Sequence, residues 1–363
     1  MQKIYKGAII GCGLIADYHA RAYKFIENVT LHAVCDVNPK AAKRLAKNYN
    51  IPNVYKNAIK LLKNKSIDFV EILTPHSSHL ELTTLALRHN KHINLQKVPT
   101  VNLDEFNKMK KLIRENEQVI RIFENFRYYE PYTFSKQLIK DNTIGKVQIV
   151  NITKYGGLKN SLAKGFRRLQ SYKWRLSKSD NHKHPTIFDD GYHKHSLIEY
   201  FLGETVTKVR GWCKYNTVIP GIKIDSPIDI HYYTKNNKLG KFQSANIKIR
   251  IENNFYPCDE IIEIIGRSGI IKIFGGHGLL FNKEHDSQIK QGVHWMGRNS
   301  KWNINDKLNL DIRDSFVKGL EKFIQSLNGK KDSTFTLSDA ENSLKIGLGI
   351  IKSLEYNKAI HID

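Results

Sequence analysis

The sequence predicts an α/β fold: a doubly wound parallel sheet first, then an α+β region built on a large open antiparallel sheet. Three observations carry this. Strand-like and helix-like segments alternate over the first ~125 residues, as in a parallel sheet with helices on both faces. The period then changes to long stretches of alternating apolar and polar residues with few helices between them, as in an antiparallel sheet with one covered face. The first turn is Gly11-Cys12-Gly13-Leu14-Ile15-Ala16, set between an apolar run and a helix-like segment.

In chain order, residues 6–11 and 31–36 read as the first two strands. Residues 39–49 read as a helix with Pro39 in its first turn, followed by a short strand at 53–55 and a helix through Leu62. Residues 67–73 form a strand ending in Thr74-Pro75, and Ser78 with Glu81 is expected to make a capping box for a helix through Leu87. A fifth strand spans 92–96. Asn102 caps the helix 103–116, whose first turn holds Asp104 and Glu105, and a sixth strand spans 119–124. After a helix near 131–140, strands are expected at 146–155, 207–215, 228–234, 242–250, 260–265 and 269–273, with closing helices at 313–327 and 337–355. Two domains follow, 1–126 and 127–363. The polar, basic stretch 156–185 has no period and reads as a long loop of the functional or disordered kind.

The glycine turn carries the first chemical inference. Gly-x-Gly-x-x-Ala between strand and helix, with Asp36 closing the next strand, is the fingerprint of a Rossmann-type dinucleotide site. Gly11 permits the tight turn, Gly13 lets a pyrophosphate approach the backbone, and Ala16 lets the helix pack on the strand. Leu14 and Ile15 complete the loop, and the helix start offers N–H groups to phosphate. Asp36 can accept from both ribose hydroxyls, and its charge opposes a 2′-phosphate. The expected cofactor is therefore NAD, with NADP ranked second.

Composition narrows the class. No run of 18 apolar residues is present, so no membrane span is expected. The first strand leaves no room for a signal peptide, and Cys12, Cys35, Cys213 and Cys258 are too scattered for zinc, which points to free thiols in the cytoplasm. The net charge is +23, but it is spread along the chain with no nucleic-acid motif. A lysine-rich surface is the favoured explanation, an anionic substrate the second, and nucleic acid the last.

Three further places could carry chemistry. Lys97, in Gln96-Lys97-Val98-Pro99, follows a parallel strand at its carboxyl end, where ligands of open α/β sheets bind. Asp189 and His193 are four residues apart and share a helix face, which suits a general base oriented by a carboxylate. Thr74, Pro75 and His79 end the fourth strand and should line the cofactor site. The plain alternatives are a solvated lysine, an N-cap aspartate with an exposed histidine, and a strand-to-helix turn. His182, His184, His193 and His195 are too irregularly spaced for a metal site, so none is expected.

These residues give the chain a resemblance to the Gfo/Idh/MocA oxidoreductases, of the glucose–fructose oxidoreductase and inositol dehydrogenase type. It runs end to end. It rests on Gly-x-Gly-x-x-Ala at 11–16, Thr-Pro-x-x-x-His at 74–79, Asn125-Phe126-Arg127-Tyr128, Asp-x-Gly-x-His at 189–193, and Glu263-Ile264-Ile265-Gly266 with Gly269. The resemblance implies that Lys97, Asp189 and His193 are catalytic. The histidine takes a hydroxyl proton as hydride passes to the nicotinamide, and the lysine polarises the same oxygen. It implies cofactor contacts at Gly11, Gly13, Leu14, Ile15, Asp36, Thr74, Pro75, His79, Gln96 and Lys97. Substrate contacts are expected at Arg127, Tyr155, Arg167, Arg168, Arg175 and His193, with a homodimer or homotetramer paired through the open sheet.

The chain departs from the family pattern at four places: Gln96 replaces glutamate, Val98 replaces proline, Ser196 replaces a frequent aspartate, and His182-Lys183-His184-Pro185 replaces a glycine-rich stretch. The expected activity interconverts a secondary hydroxyl and a ketone on a sugar, a phosphorylated or nucleotide-linked sugar, or a cyclitol. The rival readings are an NAD-dependent glycosidase with transient oxidation and a non-catalytic dinucleotide-binding regulator.

Overall fold

The computed structural model describes residues 3–157, 175–219, 222–247, 258–274 and 291–362. By its contacts the chain forms two units, Met1–Tyr128 with Arg313–Glu341, and Tyr129–Ile312 with Asn342–Asp363. A split at 126/127 does not contain the return of Arg313–Glu341 to the first unit.

The first unit is a six-stranded parallel sheet in the order β3-β2-β1-β4-β5-β6. Its strands are β1 (Tyr5–Ile10), β2 (Val29–Cys35), β3 (Asn53–Tyr55), β4 (Phe69–Ile72), β5 (His92–Gln96) and β6 (Ile120–Phe123). The helices between them are α1 (Ala16–Ala22), α2 (Pro39–Tyr49), α3 (Ala58–Leu62), α4 (His79–Arg88) and α5 (Leu103–Glu115). β1 and β4 are buried almost throughout because helices cover both faces, so both read as near-continuous apolar runs. β1 pairs with β2 on one side and β4 on the other, so the order reverses at its carboxyl end. That reversal is where open α/β sheets bind ligands.

Local chemistry sets the helix ends. Asn38 caps α2 by accepting from the Lys40 amide at 3.0 Å, and Asn102 caps α5 by accepting from the Glu105 amide at 2.8 Å. Each cap contributes about 1 kcal/mol. The expected Ser78 capping box does not form. A 3₁₀ turn, His76–Ser78, precedes α4 and holds Ser78 at φ −97°, ψ −4°. Its hydroxyl therefore turns back to the Pro75 carbonyl at 2.7 Å and gives up the helix amides.

The returning helix α8 (Arg313–Leu327) belongs to the first unit's core. Its Phe316, Leu320, Phe323 and Ile324 pack with Tyr5, Tyr23, Phe69 and Phe123. Gly319 lets α8 approach β6: a Cβ there would lie 2.2 Å from the Phe123 ring.

The second unit holds a nine-stranded sheet among the described residues, in the order β14-β13-β12-β11-β7-β10-β9-β8-β15. These strands are β7 (Val147–Gly157), β8 (Val206–Ile219), β9 (Ile222–Thr234), β10 (Leu239–Ile247), β11 (Cys258–Gly266), β12 (Gly269–Phe274), β13 (Gly292–Met296), β14 (Trp302–Asn305) and β15 (Ile360–His361). The sheet is antiparallel except that β10 runs parallel to β7, a crossing the apolar alternation does not reveal. β13 and β14 also go beyond the sequence expectation, being four or five residues long and poor in aliphatic residues.

Helices α6 (Glu130–Lys140), α7 (Gly191–Leu202) and α9 (Leu337–Tyr356) accompany the sheet. α6 packs on β12 and β13, and α7 on β7 and β10. Where α9 meets β8, the Gly211 amide donates to the buried Ser353 hydroxyl at 3.0 Å. Tyr155, Trp212 and Tyr215 are exposed on the strands. No helix among the described residues is long and apolar enough to cross a membrane.

Candidate active site

Three groups of expected residues are assembled, two in the first unit and one in the second. The first is the glycine turn. Gly11 has φ +98°, and a Cβ there would sit 2.7 Å from the Leu73 carbonyl oxygen, so the turn requires glycine. At Gly13 a Cβ would meet nothing within 4 Å, so that flank is bare. Leu14 is exposed, Ile15 packs partly into the core, and Ala16 is fully buried.

Asp36 does something the sequence did not announce. Its Oδ2 accepts from the Cys12 amide and its Oδ1 from the Asn38 amide, each at 2.7 Å. The carboxylate thus ties the glycine turn to the end of β2. An ionised carboxylate has about four acceptor sites, which leaves two for ribose hydroxyls. Arg44 braces the same turn, donating to the Cys12 carbonyl at 3.3 Å and to both Asp17 oxygens at 2.9 Å. Burial, with Asp36 close by, pushes the Cys12 thiol well up and the Cys35 thiol up to about 11, so neither is a ready nucleophile. A tight turn, a bare glycine flank and a half-exposed carboxylate fit a dinucleotide.

The second group lies at the ends of β4 and β5. His79 is fully buried, with Nδ1 2.8 Å from the Val98 carbonyl and Nε2 2.9 Å from the Thr74 carbonyl. One imidazole therefore links the Thr74-Pro75 turn to the segment after Lys97. The Lys97–Val98 peptide is cis although Val98 is not proline. The Lys97 amide donates to Gln96 Oε1 at 2.8 Å, and Lys97 itself is half-buried. Behind Gln96 lie His19, Glu71 and Asn94, all buried and hydrogen-bonded in series, none of them singled out from the sequence. The available sign was an acid inside an otherwise apolar parallel strand. Burial works to raise the Glu71 carboxyl, but the adjoining His19 ring and the hydrogen bonds from His19 and Asn94 outweigh it and leave it below the ordinary range.

The third group is in the second unit. Asp189 lies in the last part of a π-helical turn, Pro185–Asp190, and His193 lies in the first turn of α7. The shared helix face expected for the pair is interrupted by this change of helix type. Asp189 is buried and its Oδ2 lies 3.2 Å from the Arg175 guanidinium, which also reaches Asp190 at 3.6 Å. Arg175, expected on substrate, has its charge engaged by Asp189. His193 is half-buried, whereas Lys194 turns into the core to pair with Glu260, which also accepts from the Tyr132 hydroxyl at 2.7 Å.

Two buried groups that the sequence gave no role hold the π-helical turn in place. Asp225 accepts the Thr186 and Ile187 amides at 2.9 and 2.8 Å. His195 faces the Ile187 carbonyl with Nε2 and the Tyr232 hydroxyl with Nδ1, both at 2.9 Å. Burial pushes Asp225 up to about 7 and His195 down to about 3, and burial with the His182 charge takes His184 down to about 4.

The remaining expected residues divide. Arg127 is buried over the Phe335 ring and 3.5 Å from Asp339, within the first unit. Tyr155 is exposed on β7. Arg167 and Arg168 lie outside the described residues. Among the described residues no group of three or more His, Cys, Asp or Glu side chains is disposed to hold a metal ion. Lys97 belongs to the first unit, Asp189 and His193 to the second.

Family models match both parts of the chain. Residues 5–124 match the model of an oxidoreductase family with an NAD-binding Rossmann fold, and residues 132–272 match the GFO/IDH/MocA C-terminal domain. A myo-inositol 2-dehydrogenase of Thermotoga maritima is 20% identical over 98% of both chains. A D-apiose dehydrogenase of Rhizobium rhizogenes is 24% identical over 76% of this chain and 74% of its own. A crystal structure of an oxidoreductase from Agrobacterium radiobacter with NAD+, L-tartaric acid and magnesium superposes with a TM-score of 0.81 at 22% identity, covering 99% and 98% of the two chains. That last likeness is one of fold.

Proposed function

The chain belongs to the Gfo/Idh/MocA oxidoreductase family, and from that premise we propose that it is an NAD-dependent dehydrogenase converting a secondary hydroxyl of a sugar or cyclitol to a ketone, and the reverse. The observation that carries this is a dinucleotide turn with Asp36 in place, in a chain that keeps the family's lysine at Lys97 and its Asp-x-Gly-x-His at 189–193. NAD, when bound, supplies the hydride acceptor. His193 takes the hydroxyl proton as the carbon–hydrogen bond breaks, and returns it in the reverse direction. The Lys97 ammonium donates to the same oxygen and steadies its developing negative charge. Asp189, held by Arg175, orients His193.

The substrate class includes anionic sugars, for which Arg167, Arg168 and Tyr155 are the proposed contacts. The free buried thiols Cys12 and Cys35 support a cytoplasmic setting. The exposed Trp212 and Tyr215 support pairing of the sheet between copies as a dimer or tetramer.

The test is a screen of cyclitols, free sugars, sugar phosphates and nucleotide sugars with NAD, read by NADH absorbance. Stoichiometric NADH is expected. Product without net NADH would indicate the glycosidase reading, and NAD binding without turnover on any of them would indicate a regulator.

A further inference from the structure

We propose that Gln96, His19 and Glu71 form a buried relay that fixes the Lys97 backbone, with Gln96 as the positioning residue. This rests on the reading of Lys97 as the catalytic lysine.

The direction of the relay follows from donors and acceptors. The Lys97 amide can only donate, and it meets Gln96 Oε1 at 2.8 Å. The Gln96 amide is therefore set with Nε2 on its far side, 3.1 Å from His19 Nε2. An amide nitrogen also only donates, so His19 Nε2 must accept. The His19 proton then sits on Nδ1 and is given to Glu71 Oε2 at 2.6 Å, which also accepts from Asn94 Nδ2 at 2.7 Å. Every link has one donor and one acceptor. A flipped Gln96 would set its NH2 against the Lys97 N–H.

The relay is sealed. Glu71 comes from β4, Gln96 and Asn94 from β5, and the rings of Phe123 on β6 and Phe316 on α8 stand edge-on to His19 at 5.3 and 5.2 Å. A further charge, Arg121, is one step away, donating to Asn94 Oδ1 at 3.0 and 3.2 Å. A buried polar chain of this kind has two outcomes, fully satisfied and rigid or broken and costly. Its end lies on the amide of the residue whose side chain does the proposed chemistry. A purely structural tie between α1 and β4 would not need to extend past Glu71.

The relay also accounts for the departure at 96. A glutamate there would present acceptors to both Lys97 N–H and His19, and His19 would then have to donate from both nitrogens. With Gln96, a single negative charge suffices, and it sits on Glu71.

The test combines kinetics with nitrogen NMR on the full chain. Gln96→Met removes both links and should lower kcat about tenfold or more, since small misplacements of a catalytic group carry penalties of this order. Gln96→Glu restores an acceptor for the Lys97 amide and should recover most of that loss, while the ¹⁵N-histidine spectrum moves His19 to the doubly protonated form. In the wild type, His19 should appear with its proton on Nδ1 and a bare Nε2. A proton on Nε2 overturns the relay, and this measurement holds even if Gln96→Met does not fold. Gln96→Met retaining kcat while Lys97→Ala loses it also overturns the relay. If Lys97→Ala itself retains turnover, the reading of Lys97 falls, and the NMR result still decides the relay.

Discussion

Cys12, inside the dinucleotide turn, and Asp36, just past the end of β2, are joined by a 2.7 Å hydrogen bond from the Cys12 amide to the Asp36 carboxylate. A single side chain therefore both shapes the turn and opposes a 2′-phosphate. Asp36→Ala should weaken NADH binding at least about tenfold, the loss of a charged hydrogen-bond acceptor, and narrow the preference over NADPH. Fluorescence titration with both cofactors measures this, and equal affinity of the wild type for the two would refute it.

Lys97→Ala and His193→Ala should each lower kcat about a hundredfold or more with little change in the NAD dissociation constant. Asp189→Ala should cost less, because it acts through His193. Steady-state kinetics with separate cofactor titration distinguishes these cases, and wild-type turnover in His193→Ala would eliminate the proposed base.

Arg175 and Asp189, 3.2 Å apart, should behave as one unit. Arg175→Ala and Asp189→Ala should give similar losses in kcat, and the double variant should be little worse than either. Additive losses would show that Arg175 serves substrate and not the aspartate.

How far the sequence reached depended on how local the cause was. The parallel sheet was legible because strands buried on both faces are apolar runs, and α2 was bounded at both ends by Asn38-Pro39 and Asn50. The glycine turn was legible because its requirements fall within six residues. Ser78 misled because a capping box and a 3₁₀ turn share the same letters. The Arg127–Asp339 contact was not legible because its partners are 212 residues apart. Glu71, His19 and Asp225 went unnoticed, and the structural part of His195 unseen, for the same reason: each is made tolerable in the interior by groups contributed from elsewhere in the chain.

Stability should fall on mild acidification. The fold holds His195 down to about 3 and His184 down to about 4, so between about pH 6.5 and 4 the unfolded chain binds two protons that the fold refuses. Asp225, raised to about 7, works the other way, holding in the fold one proton that the unfolded chain releases above about pH 4. The net is one proton, or about 1.4 kcal/mol lost per pH unit from these groups. Denaturant titrations at several pH values should show a shallower slope for His195→Phe, and an unchanged slope would contradict the assignment.

Gly319→Ala should destabilise by about 1–3 kcal/mol, since its methyl would fall 2.2 Å from the Phe123 ring. Thermal unfolding reads the effect, and an unchanged midpoint would show that α8 has room to withdraw.

The return of Arg313–Glu341 to the first unit has a consequence for synthesis. A ribosome makes the β1–β6 sheet long before it makes the helix that finishes it. Through nearly two hundred further residues of translation, Phe69 and Phe123 wait for Phe316, Leu320 and Phe323. The nascent sheet thus spends most of its birth with one greasy side open, and a gene fragment stopping at Tyr128 would inherit that condition permanently. For this chain, the C-terminal third is part of what makes the N-terminal third a finished object.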